Sequence, residues 1–515
     1  MPVLHAHLPY VRHPELPEYR EESWFFEAVL ECYLPLLAVL DRLHQRNVQA
    51  RLTVSLSPTL ILMLADPLLC GRLDRYLGKL ERFSGHESQR LKGTVYEPVV
   101  HFYRDRIAWL RDEWESHHGR MLLESFGDLE AGGMIELMTT AATHAYLPIL
   151  AADPESVERQ ITMGLNVFER HLGRRPEGFW LPECGYMEGL DEVLARVGVR
   201  HTFVDAHAFR NGSHSPVDGT YAPVVSPAGV IFFGRDELTS RQVWSSRDGY
   251  PADPVYRDFY HDAGYELGEL ELAPFLWGGI GRGPTGFKYR RVTGPEEQKM
   301  PYDRAMALRR VNEHAEQFVR ELAGRLAGQP MHGDRTPLVT SLYDAELFGH
   351  WWFEGPDWLE KVLELSVEES TGIQTVTPSG YLNRFPLHEI SEPSSGSWGE
   401  GGYSEMWLNP ANDWIPSRLL EAGRRLAHLN LGEGAALKLA WRGCVNELML
   451  AQASDWPFML ASGAHSTYAR KRVEDHLKRF IDLVRGLETG RWQVSGQMPV
   501  KGDWPFMAST EGEEV

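Results

Sequence analysis

Residues 154–204, PESVERQITMGLNVFERHLGRRPEGFWLPECGYMEGLDEVLARVGVRHTFV, contain the alternation that decides the fold. Apolar residues at helical spacing and a proline in the first turn predict a helix over 154–172. A strand toward Trp180, a helix over 189–197 and a strand over 201–204 follow. Such alternation is typical of a mostly parallel sheet covered by helices.

The same rhythm extends to both sides of this stretch. A strand within residues 1–10, a helix over 22–46 and an alternating strand over 51–57 precede it. A long amphipathic helix over 303–327, a β-rich run over 337–343 and a helix over 356–369 come after it. The sequence therefore predicts an α/β fold with the sheet closed as a barrel.

Two regions depart from the alternation. Residues 66–125 are charged and helical, which predicts an inserted helical subdomain. Residues 401–515 contain three helical patterns, at 415–430, 435–452 and 466–488. We therefore expect a catalytic barrel over 1–400 and an all-helical C-terminal domain over 401–515.

Composition narrows the classes of function. The 515 residues include 52 basic and 72 acidic side chains, a formal charge of −20, which disfavours nucleic acid and anionic membranes as partners. The 4 cysteines have no CxxC spacing, so a disulfide framework or a thiolate zinc site is not expected. The chain begins without a basic segment followed by an apolar one, which predicts a cytoplasmic location. The 16 Trp and 19 Tyr, many in loops, suit stacking on sugar rings.

Two carboxylates stand at predicted strand ends. Glu183 lies between aromatic residues in GFWLPECGY, and Asp344 follows the apolar run of SLYDAELFGHWWFEG. Glu183 could instead be a helix N-cap or a member of a structural ion pair, and Asp344 could be the N-cap of the segment that follows it. Together they form a plausible pair for glycosyl transfer, in which one carboxylate attacks the anomeric carbon and the other moves the proton.

Histidines form a second group of candidates. His5 and His7 are two apart on a predicted strand and so share one face. With His144 and an aspartate such as Asp455 they could bind a metal ion, hydrogen-bond to sugar hydroxyls, or be ordinary buried histidines.

Tryptophans form a third group. Trp277 in FLWGGIG and Trp398 in GSWGEGG are flanked by glycines, which cannot bury them, and this favours a role as exposed ligand platforms. Trp407 and Trp456 belong to the same set. No P-loop and no GxSxG motif occurs, so nucleotide binding and a serine nucleophile have little support.

Five short motifs occur in order: HAHLPY (5–10), GGMIELMTTAATHAYLP (132–148), WLPECGY (180–186), SLYDAELFGHWWFEG (341–355) and the Asp455-Trp456 pair. In these motifs the sequence resembles glycoside hydrolase family 57 over nearly its whole length. The segment from WLNPANDWIPSRLLEAGRRL onward resembles the helical domain of the family's 1,4-α-glucan branching enzymes.

The resemblance implies a distorted (β/α)7 barrel in which Glu183 is the nucleophile and Asp344 the general acid/base. The substrate-site residues that it implies are His5, His7, His144, Trp277, Trp398, Trp407, Asp455 and Trp456. It implies no cofactor and no catalytic metal. An α-1,4-glucan is the expected donor and acceptor, α-1,6 branches are the expected product, and the enzyme is expected to act as a monomer.

Retention of configuration predicts that the two carboxyl groups lie about 5–5.5 Å apart and that the pKa of Asp344 is raised. The polar loop 234–260 is a candidate lid that would bring Trp244 or Tyr250 over the site to exclude water; an ordinary surface loop is the alternative.

Other functions remain open at this point. Within the same family these are an α-glucan hydrolase and a 4-α-glucanotransferase. From other classes they are a metal-dependent polysaccharide deacetylase and a non-catalytic glucan-binding protein.

Overall fold

The structure is a computed structural model that describes residues 1–245, 247–279, 281–294, 298–386, 388–429, 435–489 and 504–506. Its strands are β1 Pro2–Ala6, β2 Leu52–Leu56, β3 Ile135–Thr140, β4 Phe179–Trp180, β5 His201–Val204, β6 Val224–Val225, β7 Ile231–Gly234, β8 Ser341–Asp344 and β9 Glu389–Ile390.

The helices before the last barrel strand are α1 Ser23–Ala28, α2 Leu34–Gln45, α3 Pro58–Leu64, α4 Pro67–Arg90, α5 Glu97–Asp112, α6 Leu122–Ala131, α7 Pro154–Leu172, α8 Leu190–Arg196, α9 Ala206–Arg210, α10 Glu237–Trp244, α11 Ala263–Glu266, α12 Glu269–Leu272 and α13 Arg304–Ala327. Those after it are α14 Gly355–Leu365, α15 Pro378–Arg384, α16 Trp414–Ala427, α17 Ala435–Ala451, α18 Asp455–Ser462 and α19 Ser466–Glu488.

The parallel strands form a curled sheet in the order β7-β5-β4-β3-β2-β1-β8, with β4 and β5 joined through the bridge between Gly178 and His201. Strand β6 pairs antiparallel with β7 and parallel with β9. Strand β6 thus pairs with the edge of β7 that would have to pair with β8 to close the barrel. Within the described residues β7 and β8 are not paired as strands, but the Asp236 N–H that follows β7 donates to the Thr340 carbonyl just before β8 at 2.8 Å. This is the expected barrel of seven parallel strands, and the extra pairing explains its distortion.

Side-chain alternation along the strands fills the barrel and aims the site residues. Val3 of β1 and Leu342 of β8 are fully buried in an inner cluster with Trp180. Because successive side chains alternate between the two faces, the next inward positions on these strands are His5 and Asp344. These two residues are also register partners across β1 and β8.

Both regions that break the alternation are helical, as expected. Helices α4, α5 and α6 occupy the segment predicted as a helical insertion, and α16 to α19 occupy most of 401–515. Residues 430–434, 490–503 and 507–515 of that expected domain lie outside the described residues. The helical run Arg20–Gln45 is long and apolar enough to cross a membrane, but 89% of its apolar window is buried, as in a core helix.

The expectation of a single lid loop over 234–260 is wrong in two respects. Residues Glu237–Trp244 form helix α10, which Asp236 caps by accepting from the Thr239 N–H at 2.8 Å. Tyr250 is 8% exposed and packs against His314, with ring centroids 4.5 Å apart, so it is part of the core and not a lid. Trp244, the other aromatic residue predicted to cover the site, is the last residue of α10 and is 62% exposed, so its role stays a prediction.

Gly349 provides a test of the packing behind β8. Its φ is +111°, and a Cβ there would lie 1.8 Å from the Glu31 carbonyl oxygen. Gly349→Ala should therefore lower the free energy of unfolding by about 3 kcal/mol or more, because both the backbone conformation and the close approach oppose it. Thermal or denaturant unfolding measures this loss.

Gly93→Ala is the matched control. Gly93 also has a positive φ, +75°, but no atom lies within 4 Å of its would-be Cβ. It should lose only about 1–2 kcal/mol. Equal losses for the two variants would contradict the role given to the close approach of Gly349 to Glu31.

Candidate active site

The candidate site lies at the carboxyl end of the parallel strands, where barrels carry their functional groups. His5 and Asp344 occupy the last inward positions of β1 and β8. His144 and Glu183 follow β3 and β4 in tight turns, with φ of +54° and +62°. Left-handed backbone is costly for residues with a side chain, by about 1–2 kcal/mol each, and it is concentrated at functional sites.

Glu183 is held by one hydrogen-bond donor on each carboxylate oxygen. The Trp398 indole N–H donates to Oε2 at 2.9 Å, and the Ser454 hydroxyl donates to Oε1 at 2.9 Å. The backbone N–H of Trp398 also donates to the Glu183 carbonyl at 3.0 Å. The carboxylate is therefore fixed in orientation by residues more than 200 positions away in the chain.

A chain of hydrogen bonds runs from Ser454 into the barrel. His144 Nδ1 lies 2.8 Å from Ser454 Oγ, His144 Nε2 lies 2.9 Å from His5 Nε2, and His5 Nδ1 lies 3.1 Å from Ser55 Oγ. The His5 ring also stacks on Trp180, with centroids 4.5 Å apart.

The direction of this chain follows from the charge on Glu183. Because Ser454 donates to the carboxylate, it accepts from His144 Nδ1–H, and His144 Nε2 then accepts from His5 Nε2–H. Burial lowers the pKa of both His5 and His144 well below the usual value, so both rings are neutral. The histidines thus orient Ser454 toward Glu183.

His7 and Asp455 form a charged pair beside this chain. His7 Nε2 lies 3.2 Å from Asp455 Oδ2, and its ring stacks on His144 with centroids 3.9 Å apart. Burial opposes protonation of His7, but Asp455 together with Glu346 and Glu183 outweighs it, and the pKa of His7 is raised. The pair therefore favours an imidazolium close to the two catalytic carboxyl candidates.

Burial raises the pKa of both carboxyl candidates. The pKa of Glu183 rises to about 7 by burial and the nearby Asp344 charge, against the opposing effect of its two donors. The pKa of Asp344 rises to about 6 by burial, opposed by Arg235 and His7. The expected rise of the Asp344 pKa by burial is confirmed, but a contribution from the Glu183 charge is not shown. The interacting pair retains a proton near neutral pH. The expected separation of the two carboxyl groups stays a prediction.

Three site residues were not identified from the sequence: Ser454, described above, Glu346 and Arg235. Glu346, two positions after Asp344, accepts hydrogen bonds from the Tyr33 hydroxyl and, at 3.2 Å, from the His7 N–H. Burial raises its pKa to about 7. Arg235 follows β7, and its guanidinium carbon lies 5.1 Å from the Trp398 ring centroid. The signal used for Asp344, a polar residue just after a predicted strand, would have found Glu346, whereas the strand before Arg235 is not predicted from the sequence.

Three of the four tryptophans predicted to bind substrate are buried in this structure. Trp407 is 1% exposed and stacks on Tyr146, and Trp456 is 1% exposed and donates to the Leu450 carbonyl at 2.8 Å. Trp277 is 5% exposed, and its indole N–H donates to Glu22. Only Trp398 is half-buried with its indole on Glu183.

Trp407 and Trp456 therefore support the site without an exposed face, and Trp277 belongs to the core. Trp277 packs edge-on against Phe26 of α1, with ring centroids 5.0 Å apart, and faces Tyr76 of α4. The glycines beside Trp277 in the sequence cannot cover its ring, but residues distant in sequence do, and so the ring is buried.

The site histidines do not form a metal centre. His5 and His144 direct their Nε2 atoms at each other, and among the described residues these side chains and Asp455 do not converge on one point. This geometry does not fit the metal-dependent hydrolase considered above.

Replacing Glu183 by Gln tests the burial of its charge. Since the folded pKa, about 7, lies above the unfolded value of 4.5, ionisation of Glu183 destabilises the fold as pH rises through this range. Glu183→Gln should raise the free energy of unfolding by about 3 kcal/mol at pH 8 and by little at pH 5. Thermal unfolding at the two pH values measures this difference.

Glu188→Gln is the control, because Glu188 is exposed. It should show no difference between the two pH values. A gain for Glu183→Gln that is equal at pH 5 and pH 8 would contradict the burial of the Glu183 charge.

Comparison with known proteins identifies the family. Residues 2–266 match glycosyl hydrolase family 57, and residues 418–497 match the C-terminal region of 1,4-alpha-glucan branching enzymes. The chain is 31% identical over 531 residues to the 1,4-alpha-glucan branching enzyme TK1436 of Thermococcus kodakarensis, covering 96% of this chain and 74% of that protein.

Two solved structures are similar along most of their length. The alpha-amylase AmyC of Thermotoga maritima is 36% identical, with a TM-score of 0.87 and coverage of 95% of this chain and 93% of that one. The GH57-type branching enzyme of Pyrococcus horikoshii is 32% identical, with a TM-score of 0.82 and the same coverage of 95% and 93%. The match to the family over half of the sequence, together with these relatives, shows that the chain belongs to glycosyl hydrolase family 57.

Proposed function

We propose that this protein is a 1,4-α-glucan branching enzyme, which cleaves an α-1,4 linkage and joins the released chain to an acceptor glucan through an α-1,6 linkage. One observation carries the proposal. The region that matches the branching-enzyme C-terminus supplies Ser454 to Glu183 and Asp455 to His7. This region is therefore part of the catalytic centre and not a separate appendage.

In the first step Glu183 attacks the anomeric carbon of the donor glucan. The bond from that carbon to O4 breaks, and Asp344 gives its proton to O4. The two donors on Glu183 favour its ionised form, whereas among the described residues none donates a hydrogen bond to the Asp344 carboxyl group. Although the pKa of Glu183, about 7, exceeds that of Asp344, about 6, we propose that the shared proton lies on Asp344 once the donor glucan is bound.

In the second step the O6 hydroxyl of the acceptor glucan replaces Glu183 on the anomeric carbon. Its proton passes to Asp344, which restores the starting state. Glu183 must leave with its charge, and the donors from Trp398 and Ser454 are already in place to receive it.

Transfer competes with hydrolysis, because water is small and abundant. The Trp398 indole lies beside Glu183 and donates to it. The loop that carries Trp398 is held by the bridge between Tyr186 and Gly396 and by the contact of His207 Nε2 with the Gly402 carbonyl at 2.6 Å. A rigid, partly apolar wall beside the anomeric carbon excludes water and leaves stacking surface for an acceptor sugar.

An α-glucan hydrolase is the second candidate, because a structure 36% identical to this chain is that of an alpha-amylase. The carboxyl pair would be the same, and the difference would lie in which acceptor reaches the glucosyl intermediate.

We also propose that the enzyme acts as a monomer in the cytoplasm, as its sequence predicts.

The proposal predicts the products made from amylose. Purified protein, without added metal, should generate α-1,6 linkages with few new reducing ends, because the acceptor O6 and not water resolves the intermediate. Proton NMR counts both signals. Glu183→Gln should lower the rate about 1,000-fold or more, because no nucleophile remains.

Glu188→Gln again serves as the control and should retain the wild-type rate. New reducing ends without α-1,6 signals would favour the hydrolase. Binding of amylose without either product would leave only a glucan-binding protein.

A further inference from the structure

A second group of metal-ligating side chains lies outside the carboxyl site. Asp41 belongs to α2, whereas Glu113 and His117 bound a single π-helical turn that extends α5, and His118 follows it. We refer to these four residues as the 41/113/117/118 cluster. The ligand atoms of Asp41, His117 and His118 all lie within 4.8 Å of one another.

The spacing within this cluster suits an ion at its centre. Asp41 Oδ2 lies 3.1 Å from His117 Nε2 and 4.0 Å from His118 Nε2, and Glu113 Oε2 lies 3.6 Å from His118 Nε2. Tetrahedral zinc with bonds of about 2.0–2.1 Å separates its ligand atoms by roughly 3.3 Å. The two longer contacts exceed hydrogen-bond distance, so direct bonds do not account for them.

Two buried atoms of the cluster lack a partner. The His118 side chain is 3% exposed, and its Nε2 atom makes no hydrogen bond within the described residues. Glu113 Oε2 is also buried and unpaired. Buried polar atoms are nearly always satisfied, and a nitrogen and a carboxylate oxygen that face each other at this distance leave room for a shared ligand.

The other nitrogen of His118 indicates how the ring is oriented. Nδ1 lies 2.9 Å from Ser125 Oγ, and this hydroxyl also donates toward the Met121 carbonyl at 3.5 Å. Ser125 therefore accepts from Nδ1–H, which leaves the Nε2 lone pair directed into the cluster. Metal-bound histidines use the same outer hydrogen bond to fix their orientation.

We propose that Asp41, His117 and His118 bind a divalent transition-metal ion, Zn²⁺ in particular, with Glu113 positioned to complete the coordination. Imidazole ligands select zinc and its neighbours over Mg²⁺ and Ca²⁺, which prefer oxygen. The ion would link α2, which packs against α6 and α14, to the end of α5 in the helical insertion. Its role is structural, and the carboxyl chemistry described above proceeds without it.

Chelator-treated full-length protein titrated with ZnCl₂ tests this site by calorimetry. The variant His117→Gln is suitable because the His117 side chain is 47% exposed, so its loss leaves the fold intact. His214→Gln is the matched control: His214 is 49% exposed and pairs with Glu389 at 2.8 Å, without a second histidine.

Wild type and His214→Gln should bind one Zn²⁺ more per chain than His117→Gln, or bind it at least about 100-fold more tightly. CoCl₂ should give the absorption bands of tetrahedral Co²⁺ in the same two proteins only. Zinc at 100 times its dissociation constant should raise the melting temperature of the wild type by about 2–3 °C. Comparing variants removes any contribution from the histidines of the carboxyl site.

Equal zinc stoichiometry and affinity in wild type and His117→Gln would overturn the proposal, as would the absence of zinc binding by the wild type at about 100 µM ZnCl₂. Branching activity is a separate measurement and should be the same before and after chelation.

Discussion

Two carboxyl groups, Glu183 and Asp344, are buried together at one end of a parallel sheet, and the rest of the site compensates for that burial. Burial raises the pKa of both, so one proton remains on the pair near neutral pH. The two hydrogen-bond donors on Glu183 stabilise its ionised form, which the proposed nucleophilic attack requires.

These donors come from parts of the chain that follow the barrel strands. Trp398 lies in a glycine-rich loop after β8, and Ser454 precedes α18 in the C-terminal helical region. The neutral histidines behind Ser454 orient its hydroxyl, as the direction of their hydrogen bonds requires. The C-terminal helices therefore supply a hydrogen bond to Glu183 and a charge beside His7. These contacts give a physical reason why the C-terminal region is part of the proposed catalytic centre.

Much of the fold and part of the site could be predicted from the sequence, because alternation along a strand and position at its end are local properties. These two local properties were enough to predict that His5 and Asp344 lie at the ends of their strands. The glycine flanks of Trp398 and Trp277 are the same local signal, yet only Trp398 meets Glu183, since residues distant in sequence cover Trp277. Ser454 has no distinctive sequence pattern, and its role appears only when the helix carrying it packs against the barrel.

The central claim is that Glu183 is the nucleophile of a retaining reaction, and trapping the intermediate tests it most directly. A fluorinated α-maltosyl fluoride that reacts faster than it turns over should add one glycosyl group to the wild-type protein. Peptide mapping by mass spectrometry should place this group on Glu183, within WLPECGY. A label on Asp344 or Glu346 instead, or turnover with inversion of the anomeric configuration, would contradict the account.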